Sequence, residues 1–130
     1  MARRKSENLT ELELEIMNVL WDSGPANVQA VQQKMERKSA YTTVQTMLNI
    51  LERKGKVKRE LKDRAYICRP AVSRKKVIGQ IFGDMIDRVF GGSAESLVMS
   101  LVETKHLTPK KLAKLNSLLK ETTEGEDDSD

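Results

Sequence analysis

The stretch Ala40-Tyr41-Thr42-Thr43-Val44-Gln45-Thr46-Met47-Leu48-Asn49-Ile50-Leu51-Glu52-Arg53-Lys54-Gly55 decides the fold. Val44, Met47, Leu48 and Leu51 follow one another by three and four, the period of a helix with one buried side. The spacing predicts a helix over about residues 40–54, stopped by Gly55, where a left-handed residue is wanted. Its opposite side carries Thr42, Gln45, Thr46 and Asn49 and ends at Arg53. A solvated helix face is ordinarily rich in Lys and Glu. This one holds hydroxyls and amides, with positive charge left to the flanks. Gln and Asn can bond the N6/N7 edge of adenine in pairs, and threonine methyls can touch the thymine methyl; each good bidentate pair discriminates by roughly 1–3 kcal/mol. Thr42, Gln45, Thr46 and Asn49 are therefore the expected base contacts. Tyr41, at the helix N-terminus, is placed for its hydroxyl to meet a phosphate beside the positive end of the helix dipole. A merely polar surface is the alternative, and the flanking sequence weighs against it.

Downstream, Lys56–Leu61 and Ala65–Arg69 are β-prone and meet at Lys62-Asp63-Arg64, which reads as a hairpin. Lys54, Lys56, Lys58, Arg59, Lys62 and Arg64 lie on this hairpin and its approach. Cations beside a recognition helix straddle phosphates and fix register without specifying sequence. Arg53, Lys54, Lys58, Lys62 and Arg64 join Tyr41 as expected backbone contacts. Upstream, Thr10-x-x-Glu13 matches a capping box for a helix carrying Leu12, Ile16, Met17, Val19 and Leu20 and ending near Trp21. Gly24-Pro25 breaks it, and Asn27 can cap a second helix whose buried stripe is Val28, Val31 and Met35. Helix–helix–helix–hairpin is the winged helix-turn-helix order, with the hairpin as wing.

Beyond Pro70 the chain reads as helical. Ser73 caps residues 74–90, which carry Val77, Ile78, Ile81, Phe82, Met85, Ile86, Val89 and Phe90 before Gly91-Gly92. Ser93 caps a short helix with Leu97, Val98, Leu101 and Val102; Thr108-Pro109 opens a last one with Leu112, Leu115, Leu118 and Leu119 on one face. The fold class expected is mainly α with a small β hairpin. A flexible segment, 1–8, precedes a winged-helix DNA-binding domain, 9–72; a helical dimerisation region, 73–122, and an acidic disordered tail, 123–130, follow. The helix over 77–90 is too apolar for the surface of a monomer, and a winged-helix domain closes its own core. A homodimer is expected, formed through Ile78, Ile81, Phe82, Met85, Ile86, Val89, Leu97, Leu101, Leu115 and Leu118. It would set two recognition helices roughly 34 Å apart, one turn of DNA, or a multiple of that.

Composition bounds the alternatives. The 130 residues are 38% hydrophobic and 32% charged, a globular profile. The net charge of +4 is uneven: residues 1–80 hold 17 Lys/Arg against 9 Asp/Glu, residues 81–130 hold 6 against 10. A basic front half points to a polyanion partner, double-stranded DNA. No apolar run approaches the roughly 20 residues that span a bilayer, and the basic start is not followed by a signal-peptide core. A cytoplasmic chain without membrane insertion is expected. The single cysteine, Cys68, excludes an internal disulfide framework and a multi-cysteine zinc site; His106 is the only histidine. No nucleophile–histidine–carboxylate set and no Gly-rich phosphate loop are present. Neither an enzyme nor a bound metal or cofactor is expected.

The segment Ala40–Leu48 with Leu51-Glu52-Arg53-Lys54-Gly55 resembles the recognition helix of the penicillinase and methicillin-resistance repressor family. So do Leu9-Thr10-x-Leu12-Glu13, Ile16-Met17, Leu20-Trp21, Asp63-Arg64-Ala65-Tyr66, and Phe90-Gly91-Gly92 before Ser96-Leu97-Val98. The likeness covers about residues 8–121. It implies a homodimeric repressor on a dyad-symmetric operator of β-lactamase or other resistance genes, with Thr42, Thr43, Gln45 and Thr46 contacting the operator and Arg64 in the wing. It also implies release by a membrane sensor protease that cuts in the helix after Gly-Gly. Some relatives carry Asn-Phe at the cut where this chain has Ser100-Leu101. The family's copper-responsive branch has a cysteine-rich C-terminus, which this chain lacks. Two rival readings stand beside this one: a winged helix used as a protein-docking platform, and a repressor with a ligand or redox trigger in place of proteolysis.

Overall fold

The computed structural model describes residues 9–124. A reciprocal cap starts α1 (Glu11–Ser23): Thr10 Oγ1 accepts from the Glu13 N–H at 3.1 Å, and Glu13 Oε1 accepts from the Thr10 N–H at 2.9 Å. The helix passes Trp21 because the first residue that cannot continue it is Gly24, at φ 88°. Asn27 Oδ1 accepts from the Ala30 N–H at 2.8 Å and opens α2 (Val28–Lys34). This helix is shorter than its apolar stripe suggested. Met35 is buried as its C-cap, and Val28 is only half-buried. After the polar link come α3 (Tyr41–Arg53), β1 (Val57–Lys62) and β2 (Ala65–Pro70).

The strands pair antiparallel, with Val57 opposite Pro70 and Lys62 opposite Ala65. A third segment joins them. Ala26 and Cys68 exchange both backbone hydrogen bonds, at 3.0 and 2.8 Å, laying the α1–α2 loop along β2. A one-residue bridge has no alternation, so no period announces it. The core lies between the three helices and this small sheet. Ile16, Met17 and Leu20 meet Val31, Val44, Leu48 and Leu51, closed by Val57 and Cys68. Each such side chain contributes about 1.5–3 kcal/mol on burial. Met47, expected inside, sits half-buried at the rim.

Ser73, Ser93 and Thr108 start α4 (Arg74–Val89), α5 (Ala94–Glu103) and α6 (Pro109–Glu124), each side-chain oxygen accepting from an N–H three residues on, at 3.0 to 3.1 Å. Trp21 Nε1 donates to the Val72 carbonyl at 3.0 Å, and Arg74 pairs with Asp22 at 2.7 Å. The chain divides into two compact units between Phe82 and Gly83, inside α4. The second unit has no core of its own: from Gly83 to Thr122 no described residue is buried. α6 reaches Glu124, into the start of the expected acidic tail; residues 1–8 and 125–130 lie outside the described residues. The architecture is mainly helical with one hairpin, a winged helix followed by helices, as its sequence pattern implied.

Candidate nucleic-acid interface

Three anchors orient α3. Val44, Leu48 and Leu51 are buried, so the helical period turns Thr42, Gln45, Thr46 and Asn49 outward; all four are exposed, as are Thr43 and Arg53. The C-terminal end is tied to α1. Lys54 Nζ donates to Glu13 Oε1 at 2.9 Å and to Oε2 at 3.1 Å, and Glu13 is only 3% exposed. Burial alone would raise the Glu13 pKa. The Lys54 bond and charge, with the Thr10 N–H and hydroxyl, outweigh it and hold the carboxyl below its ordinary value. Lys54, expected on phosphate, is thus ion-paired to Glu13, with its side chain 31% exposed. Lys56 is also withdrawn from the basic cluster: it is 6% exposed.

The N-terminal end of α3 is open. Each of the other five helices has a side-chain cap, from Thr10, Asn27, Ser73, Ser93 or Thr108. The N-cap of α3 is Ala40, which has no acceptor to give. The first-turn N–H groups therefore remain available to an outside anion, beside the exposed Tyr41.

The wing turns in two residues, Asp63 at φ 51° and Arg64 at φ 68°, the mirror-image turn that matches strand twist. Strand alternation puts Lys58, Glu60 and Lys62 on one face and Arg59 and Leu61 on the other. Lys58, Lys62 and Arg64 are exposed. Arg59 faces α3: its Nη2 donates to Asn49 Oδ1, pairs with Glu52 Oε1 at 3.2 Å, and its guanidinium lies 5.9 Å from the Tyr66 ring centre. Arg59 had stood in the basic cluster without a distinct role; its parity against Lys58 and Lys62 was the available signal. Between α2, α3 and the wing lies a recess of about 300 Å³ lined by Tyr41, Gln45, Arg59, Tyr66 and Cys68 among others. Burial pushes the Cys68 thiol up, so it stays protonated and a poor nucleophile.

In the C-terminal helices the expected dimer residues are uncovered to differing degrees. Ile78, Phe82, Val89, Leu115 and Leu118 are exposed; Ile81, Met85, Ile86, Leu97 and Leu101 are half-buried. Leu101, Leu112, Leu115 and Leu119 line an apolar groove of about 740 Å³ between α5 and α6. Ser100 and Leu101 lie within α5, where the Ser100 carbonyl accepts from the Thr104 N–H at 2.9 Å and from its hydroxyl at 2.7 Å. Among the described residues no group of three or more His, Cys, Asp or Glu side chains gathers as metal ligands, and no helix is long and apolar enough to cross a membrane.

An uncharged outward face on the second helix of a helix-turn-helix, with a basic wing beside it, defines a winged-helix protein of the DNA-binding class. Residues 9–121 match the family described as penicillinase repressor. The chain is 25% identical over 120 residues to the penicillinase repressor of Bacillus licheniformis, covering 91% of this chain and 94% of that protein. It is 23% identical over 117 residues to the methicillin resistance regulatory protein MecI of Mammaliicoccus sciuri, covering 88% and 95%. Wild-type MarR from E. coli superposes with a TM-score of 0.50 at 18% identity, covering 88% of this chain and 78% of that one, a likeness of fold. The chain belongs to the penicillinase repressor family, whose members are transcriptional repressors and not enzymes.

Proposed function

We propose that this chain represses transcription in the cytoplasm by binding, as a homodimer, a dyad-symmetric operator of β-lactamase or related resistance genes. One observation carries the reading: the exposed face Thr42, Thr43, Gln45, Thr46 and Asn49 beside Lys58, Lys62 and Arg64, in a member of a repressor family. Its helix enters the major groove, where amide and hydroxyl groups meet base edges. The open N-terminus of α3 and Tyr41 take one phosphate, and the wing and Arg53 take others. Lys54 is not among them. The C-terminal helices join two copies, and cleavage near Ser100-Leu101 by a membrane sensor protease parts them. Because that stretch is helical, α5 must unwind locally before its backbone can be cut.

A gel shift with the protein's own upstream DNA, run at several stated salt concentrations, tests the reading. Retarded bands that survive a large excess of random duplex support it. Retardation that random duplex removes entirely would leave a docking module as the better description. A redox trigger is disfavoured by the buried, protonated Cys68.

A further inference from the structure

Arg59 is a wing cation turned toward α3, its side chain 29% exposed. One of its nitrogens, Nη2, serves both Asn49 Oδ1 and Glu52 Oε1, and Tyr66 lies against its face. Asn49 and Glu52 are three apart on α3, hence neighbours on one side of the helix. A guanidinium carries only donors. The Asn49 atom turned to it must therefore be the carbonyl oxygen, since a flipped amide would set N–H against N–H. An amide oxygen has two lone pairs, so Asn49 keeps its NH₂ group and one acceptor site for an outside partner, in a fixed order.

We propose that Arg59 is a positioning residue that determines what Asn49 reads. With one lone pair of its oxygen held, Asn49 presents donor and acceptor in one order, which matches the N7 acceptor and N6 donor of adenine. Guanine, with two acceptors, and cytosine, with its N4 donor alone, meet only half of that pair. The inference rests on α3 lying in the major groove. The charge on Arg59 is balanced by Glu52, so its contribution lies in selectivity rather than in general affinity for phosphate.

The test counts bound sequences from a duplex pool with a randomised half-site, using the full chain as wild type, Asn49→Ala, Asn49→Asp and Arg59→Ala. Asn49→Ala is expected to flatten one column of the preference, removing a bias of roughly five- to hundredfold toward adenine. Arg59→Ala is expected to alter that same column, weakening its adenine preference as the released amide turns freely. Asn49→Asp keeps the Arg59 bond and hence the local fold, but replaces donors by acceptors; the column should turn toward cytosine. Arg59→Ala overturns the proposal if it leaves every column intact, weakens all sequences alike and lowers the salt slope by about one, the mark of a phosphate contact. Changes in a different column from Asn49→Ala overturn it equally. A wild-type protein without preference in any column removes the DNA reading of α3 itself, and the proposal with it.

Discussion

Glu13 closes the cap of α1 and receives the Lys54 ammonium, so one buried carboxylate fixes both the start of the first helix and the end of the third. Replacing it by glutamine removes the charge and keeps the shape. Glu13→Gln should lower stability by about 1.5–3 kcal/mol at neutral pH, the range for a hydrogen bond to a charged group. The carboxyl's pKa is lowered in the fold, so its contribution is complete above the ordinary value of 4.5 and disappears as pH falls through the lowered one. In urea titrations the gap between wild type and Glu13→Gln should be full at pH 7 and close only as pH falls below 4.5 through the lowered value. A gap that ignores pH would mean that the ion pair contributes nothing. On the outward side of α3, Gln45→Ala should lose roughly 1–3 kcal/mol on the operator and little on random duplex. Lys62→Ala should weaken both and reduce the salt slope by about one. Fluorescence anisotropy on both duplexes at several salt concentrations separates the two; equal losses for Gln45→Ala would take that helix face off the bases.

The wing turn holds Arg64 at φ 68°, where a β-carbon costs on the order of 1 kcal/mol and glycine is the favoured residue. Arg64 is exposed there, and on the proposed reading it meets the DNA backbone. Arg64→Gly should raise domain stability by up to about 1 kcal/mol in urea while lowering affinity for all DNA and the salt slope by about one. Unchanged DNA affinity in this variant would place the wing tip off the strands. Five of the six helices were legible because their starts carry a chemical marker, and α3 from its buried period alone. Thr10, Asn27, Ser73, Ser93 and Thr108 precede apolar residues at helical spacing, and all five act as caps. The base-reading face was legible for the same reason, since burying Val44, Leu48 and Leu51 leaves Gln45 and Thr46 nowhere to go but out. Three features were not legible: the Ala26–Cys68 bridge, Lys54 on Glu13, and Arg59 on Asn49. They join residues of different elements through tertiary packing: strand alternation separates Arg59 from Lys58 and Lys62, but no local period names its partner or that of Lys54. Lys54 and Lys62 look alike in sequence; only the buried carboxylate tells them apart.

At the scale of the whole molecule the two units differ in kind. The first closes a core of fully buried Ile16, Met17, Leu20, Val31, Val44, Leu48 and Leu51, whereas the second buries nothing between Gly83 and Thr122. Leu115 and Leu118 stand 44% and 48% exposed on α6, an arrangement that water disfavours and that the proposed second copy would relieve. Leu118→Asp should then turn a sedimenting dimer into a monomer while leaving the winged helix folded. The consequence for DNA follows from effective concentration. Once one head is bound, a tethered second head engages its half-site intramolecularly, adding about 10²–10⁴ in affinity without any new contact. Leu118→Asp should therefore lose that factor, about 2.7–5.5 kcal/mol, on a duplex carrying the full dyad. On a duplex carrying a single half-site it should bind as well as the wild type. Equal losses on both duplexes would mean that the substitution damages the DNA-binding unit. A variant that sediments as a dimer and binds the dyad normally would move the contact between copies to another face of the helices.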